Sequence, residues 1–170
     1  MTDLAPQAAI VPLTDRETST SVDDKLELRA WLRLLTCSTM MEQRVRAFLR
    51  ERYDITLPRF DIIAQLDRAP QGMTMSELSS HLMVSNGNVT GLIDRLVQEG
   101  LVSRETDATD RRSQRVRLTD AGRRQFAEMA PAHQSLIEQA FAGIGKAGLR
   151  DLYSRLGELK VALHNGSDQG

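Results

Sequence analysis

The chain has little of what secretion, membrane insertion, metal binding or catalysis requires. It has one cysteine, Cys37, so no disulfide can close within it, and a reducing cytoplasm is its natural compartment. No apolar run approaches the roughly 20 residues that cross a bilayer. The N-terminus carries an acid, Asp3, ahead of Ala8-Ala9-Ile10-Val11, which is not the start of a secretory signal. Three histidines, His81, His133 and His164, are scattered without ligand spacing, so no metal site is expected. There is no nucleophile elbow, phosphate-binding glycine loop or paired ligand motif, so neither an enzyme nor a cofactor is expected. Aromatic residues make up 4% of the chain against 41% hydrophobic, which points to a Leu, Val, Ile and Met core of the helical kind.

What the chain does have is arginine, unevenly placed. The net charge of −1 hides a contrast along the sequence. Residues 1–28 carry a balance of −4 and the remainder +3. Residues 101–125 hold seven arginines against four acids, and 19 of the 22 basic residues are arginine. The planar guanidinium pairs with phosphate and with guanine edges better than an ammonium does, so local sign points to nucleic acid where the total does not.

Residues 1–24 mix Thr, Ser, Asp and Pro without apolar periodicity and read as a disordered tail. A long helix is predicted from about Asp24 to Arg52, with Leu28, Trp31, Leu32, Leu35, Val45, Phe48 and Leu49 at three- and four-residue spacings. Pro58 opens a second helix, Arg59 to Arg68, ended by Pro70 and Gly72. Met73-Thr74 adds a very short strand. A third helix, about Met75 to Met83, has Thr74 or Ser76 as its cap. The fourth, about Asn86 to Glu99, has Ser85 as N-cap and stops at Gly100. Leu101 to Thr106 and Gln114 to Leu118 alternate as two strands, with Val116 and Leu118 inward and Arg115 and Arg117 outward. A fifth helix runs from Thr119 or Asp120 to about Ala142 and should kink at Pro131. The last, Gly148 to His164, spaces Leu149, Leu152, Leu156, Leu159 and Leu163 as a heptad-like seam.

Two short helices joined by a tight turn, a strand, a charged tip and a returning strand are the order of a winged helix-turn-helix. The expected fold is therefore mainly α with a small antiparallel β wing. A winged DNA-binding domain covers residues 56–119, and helices over 25–55 and 120–165 form a dimerisation region. The first, fifth and sixth helices cannot bury their stripes on so small a domain. A homodimer built from both chains' terminal helices can.

The fourth helix reads double-stranded DNA on this view. Val89, Leu92, Ile93, Leu96 and Val97 form its apolar stripe, which puts Gly87, Gly91, Asp94, Arg95 and Gln98 on the far side. Gly91 costs helix stability of about 1 kcal/mol relative to alanine and lets the helix axis come close to base edges. Asn88, and Asn86 nearer the start, offer a donor and an acceptor to adenine. Ser79, Ser85, Thr90 and Arg95 are phosphate candidates. At the wing tip, Arg111 and Arg112 suit the negative minor groove, with Asp110 orienting one of them.

These residues resemble the MarR family of transcriptional regulators. The likeness rests on Leu78-Ser79-Ser80-His81-Leu82, on Asn88-Val89-Thr90-Gly91-Leu92-Ile93-Asp94-Arg95-Leu96, and on Glu99-Gly100-Leu101-Val102. It continues through Asp107-Ala108-Thr109-Asp110-Arg111-Arg112-Ser113 and Val116-Arg117-Leu118-Thr119-Asp120-Ala121-Gly122, and it spans about residues 26–163. It implies a dimeric repressor on a palindromic operator, released by a small effector held between the dimerisation helices and the winged domain. Arg29, Arg33, Arg44, Arg46, Arg50 and Arg52 on the first helix suit an anionic effector, such as an aromatic carboxylate or an acyl-coenzyme A. Trp31, Arg44, Phe60 and Ile63 are the candidate contacts, with Met40 and Met41 as further apolar walls. Two other readings stay open. One is a redox-sensing repressor using Cys37, although a buried core cysteine is the commoner case. The other is a winged helix used for protein contacts.

Overall fold

The computed structural model describes residues 25–82, 86–106 and 114–166, with the backbone alone at Asn86, Gly87, Asn88 and Gly166. The tail predicted over residues 1–24 lies outside the described residues, as do Ser85 and the tip residues Asp110, Arg111 and Arg112. The chain runs α1 (Leu26–Tyr53), α2 (Leu57–Asp67), β1 (Met73–Thr74), α3 (Met75–Leu82), α4 (Asn86–Gln98), β2 (Val102–Thr106), β3 (Gln114–Leu118), α5 (Asp120–Phe141) and α6 (Gly145–Gly166). It is mainly helical with one small antiparallel sheet, as the sequence predicts.

The chain divides within α1 into one unit ending at Arg44 and another beginning at Val45. In the first, Leu26, Leu28, Trp31, Leu35 and Met40 are exposed along the helix. The second contains the core.

Local chemistry sets the element ends in that second unit. Thr56 holds the extended backbone of an N-cap, and Pro58 sits in the first turn of α2, where its missing N–H is no loss. Of the two caps offered for α3, Thr74 is the one used. The Glu77 N–H donates to Thr74 Oγ1 at 3.2 Å and the Thr74 N–H donates to Glu77 Oε2 at 2.7 Å, a reciprocal capping box. Gly100, at φ +70°, closes α4: its N–H donates to the Val97 carbonyl and the Leu101 N–H to the Leu96 carbonyl, both at 2.9 Å. Thr119 caps α5, accepting at Oγ1 from the Gly122 N–H at 3.1 Å. That helix continues through Pro131 to Phe141. A 3-10 turn, Ala142–Ile144, and Gly145 at φ +65° then lead into α6, which starts three residues earlier than its leucine spacing indicates.

The sheet has the order β1-β3-β2, antiparallel throughout, with Met73 opposite Val116 and Val102 opposite Leu118. Val116 and Leu118 face inward and Arg115 and Arg117 alternate with them, as the period of two requires. Val116, Leu78, Val89, Ile93 and Leu96 are fully buried with Ile62, Ile63 and Leu66 of α2. Each such side chain contributes about 1.5–3 kcal/mol by burial. Val89, Ile93 and Leu96 of the α4 stripe thus lie in the core, whereas Val97, expected in that stripe, is exposed at the end of the helix.

Candidate nucleic-acid interface

Helix α4 turns Val89, Ile93 and Leu96 into the core, which leaves Thr90, Gly91, Arg95 and Gln98 exposed on the other side. A Cβ added at Gly91 would meet nothing within 4 Å. The fold therefore does not require a glycine there. The backbones of Asn86, Gly87 and Asn88 form the first turn of the same helix, and their side chains lie outside the described residues. Of the ten DNA-contact candidates, Thr90, Gly91 and Arg95 are the ones placed with their side chains, and all three share the outward face.

Two partly exposed ion pairs flank α4, whose seat is set by its buried stripe. Asp94, on that helix, pairs with Arg104 of β2 at 2.6 Å. Arg59 of α2 pairs with Glu99, just beyond the end of α4. Burial, and next the positive charge of Arg95, pull the Arg59 guanidinium below its ordinary value, while Asp54 opposes them. An arginine does not give up its proton at such a site, so a partner such as Glu99 is what makes it tolerable.

The strand arginines differ from the picture of a bare basic edge. The Arg115 Nη1 donates to the Gly72 carbonyl at 2.8 Å and lies 3.9 Å from Glu77. Arg117 pairs with Glu105 at 3.7 Å. Both are half-buried on the face opposite Val116 and Leu118, each held by a partner within the fold. Alternation in a sequence places a side chain on a face, and the acid that captures it comes from elsewhere in the chain.

The effector candidates fall into two groups. Trp31 and Arg44 are exposed along α1, whereas Phe60 and Ile63 are buried in the core of the second unit. Phe60 lies in an aromatic cluster, 5.8 Å from Phe126 and 4.8 Å from His133 between ring centroids. Burial lowers the His133 pKa. Its folded value is thus below the unfolded one, the folded state binds fewer protons, and stability is lost as pH falls below the ordinary histidine range. The thermal midpoint should drop between about pH 7.5 and about pH 5.5, and it should drop less in His133→Phe. Equal falls in the two proteins would refute this role for His133.

Cys37 departs from expectation: it is exposed on α1 rather than buried. Among the described residues, no group of three His, Cys, Asp or Glu side chains gathers as for a metal, and no helix is long and apolar enough to cross a membrane.

Residues 55–114 match the sequence profile of the MarR family. The Transcriptional activatory protein BadR of Rhodopseudomonas palustris is 35% identical over 118 residues, which is 66% of this chain and 66% of that protein. The chain therefore spans just under two thirds of that relative's length. A MarR family transcriptional regulator from Silicibacter pomeroyi superposes with a TM-score of 0.70 at 28% identity, over 85% of this chain and 99% of that one. Sco3205 from Streptomyces coelicolor, a MarR family regulator solved in complex with DNA, superposes at 0.74 with 21% identity, over 86% and 91%. The fold and the relatives are those of transcriptional regulators and not of enzymes.

Proposed function

Since the chain belongs to the MarR family of transcriptional regulators, we propose that it binds double-stranded DNA as a homodimer, laying the outward face of α4 in the major groove. The observation that carries this is the face itself: a helix anchored by Val89, Ile93 and Leu96, steadied by Arg104, and presenting Thr90, Gly91 and Arg95 to solvent. Sco3205 shares the fold and was solved on DNA, which supports the same use here. Ser85, Asn86, Gly87 and Asn88 extend the reading face toward the N-terminus of α4. Asp110, Arg111 and Arg112 serve the minor groove beside it.

Dimerisation follows from α6. Leu149, Leu152, Leu156, Leu159 and Leu163 are all exposed along it in the chain taken alone. A row of five leucines left in water is a liability that a second copy removes. The release signal fits an aromatic carboxylate or an acyl-coenzyme A, drawn by the arginines of α1. A panel of such compounds should raise the dissociation constant for the DNA that the chain selects, and no change across the panel excludes that class.

The test of the DNA reading is ionic. Arg112→Ala should weaken binding to every duplex alike and reduce the slope of log affinity against log salt by roughly one phosphate contact, about 0.9. An unchanged slope would remove Arg112 from the interface.

A further inference from the structure

We propose that Thr119 is a positioning residue for the recognition helix, the joint through which α5 sets the direction of α4. The proposal rests on the DNA reading given above and adds what aims the reading helix. The Gly100 and Leu101 N–H groups close the last turn of α4, and this leaves the carbonyls of those same two residues facing outward from the cap. One residue takes both. Thr119 Oγ1 donates to the Gly100 carbonyl at 2.6 Å, and the Thr119 N–H donates to the Leu101 carbonyl at 3.0 Å.

The same hydroxyl oxygen accepts from the Gly122 N–H at 3.1 Å and so caps α5. A hydroxyl has one proton and two lone pairs, and both kinds of site are engaged here. The end of one helix and the start of the other are thus bonded through a single side chain. The negative end of α4 meets the positive end of α5, an alignment that favours the joint.

There is little slack in this contact. Gly122 lies so close to Leu101 that an added Cβ would overlap the Leu101 carbonyl oxygen. Leu101 and Leu118 are buried on either side. Arg123 adds a bond from Nη1 to the Leu118 carbonyl at 2.8 Å. A tilt of α5 therefore passes to α4 through two short hydrogen bonds rather than being absorbed by a loop. In a regulator this is where a change felt by α5 becomes a change in the aim of the recognition helix.

The test uses the full chain and the duplex it enriches from a random-sequence pool. Thr119→Val keeps the shape and the N–H but removes the hydroxyl. Well below the thermal midpoint, its affinity for the enriched duplex should fall by at least about tenfold, and its preference over random duplex should narrow. Thr119→Ser should restore both. Ala127→Gly, at an exposed position of α5, lowers the midpoint by helix propensity alone and should leave affinity unchanged. Natural affinity in Thr119→Val, or a loss in Thr119→Ser as large as in valine, would overturn the proposal. If the natural chain enriches no sequence, the DNA reading itself fails and the joint has no helix to aim. If valine prevents folding, Thr119→Asp takes its place, because its carboxylate still caps α5 but cannot donate to the Gly100 carbonyl. It must lose affinity where serine keeps it, and natural affinity in both would overturn the proposal.

Discussion

Alanine at Gly122 is expected to lower stability by about 3 kcal/mol or more, and the thermal midpoint by roughly 6–12 °C in a chain of this length. Gly122 is fully buried in the first turn of α5, and a Cβ there would overlap the backbone oxygen of Leu101 and crowd the Leu118 side chain. A flexible side chain could swing aside, but a carbonyl that already accepts from the Thr119 N–H cannot. The backbone has to open by a substantial fraction of an ångström. That opening stretches the cap on α5 and pulls Leu101 away from the core. Equilibrium denaturation of the natural and Gly122→Ala chains measures the loss. A difference within about 0.5 kcal/mol, the range of an ordinary surface change, would show that the two helix ends do not abut as described.

The same substitution at Gly91 is expected to do the opposite. Nothing lies within 4 Å of the position of its Cβ, and the residue is exposed in the interior of α4. Removing a helix-interior glycine should therefore stabilise the protein by about 1 kcal/mol. DNA binding should move the other way. A methyl group on the outermost line of the recognition helix holds the helix off the base edges, and breaking one good pairing with a base costs about 1–3 kcal/mol. Gly91→Ala should bind its selected duplex at least about tenfold more weakly while melting higher. Affinity for random duplex, which depends on phosphate contacts, should change little. No damage to folding can produce that pair of signs. Unchanged discrimination between selected and random duplex would mean that this face of α4 does not approach the bases.

The order of elements was legible because periodicity and caps are local. The spacing of Val89, Leu92, Ile93, Leu96 and Val97 indicates the buried side of α4, of which Val89, Ile93 and Leu96 are buried and Val97 is exposed. Thr74 followed by Glu77 carries the capping box of α3, and Gly100 marks the end of α4. The exposure of Gly91, Arg95 and Gln98 follows from the same projection, which sets Thr90 on the flank and places Asp94 outward where the structure leaves it half-buried. What was not legible depends on residues far apart in sequence. Arg115 and Arg117 look like DNA-facing charges until Gly72, Glu77 and Glu105 are seen to hold them. Arg59 pairs with an acid forty positions away. Thr119 reads as one of two possible starts of a helix; that it caps α5 and also bonds Gly100 has no signature in the sequence. The exposure of Cys37 was missed because a helical cysteine is more commonly buried in a core, a general tendency that nothing local to the sequence overrides.

The most direct test of the central claim is selection from a random-sequence duplex pool by the full chain at physiological salt. A dimer that reads with two copies of α4 should enrich an inverted repeat whose half-sites are centred about one helical turn apart, roughly 34–36 Å along the duplex. Retention without any enriched sequence, or no retention at all, would contradict the claim that α4 is a sequence-reading helix.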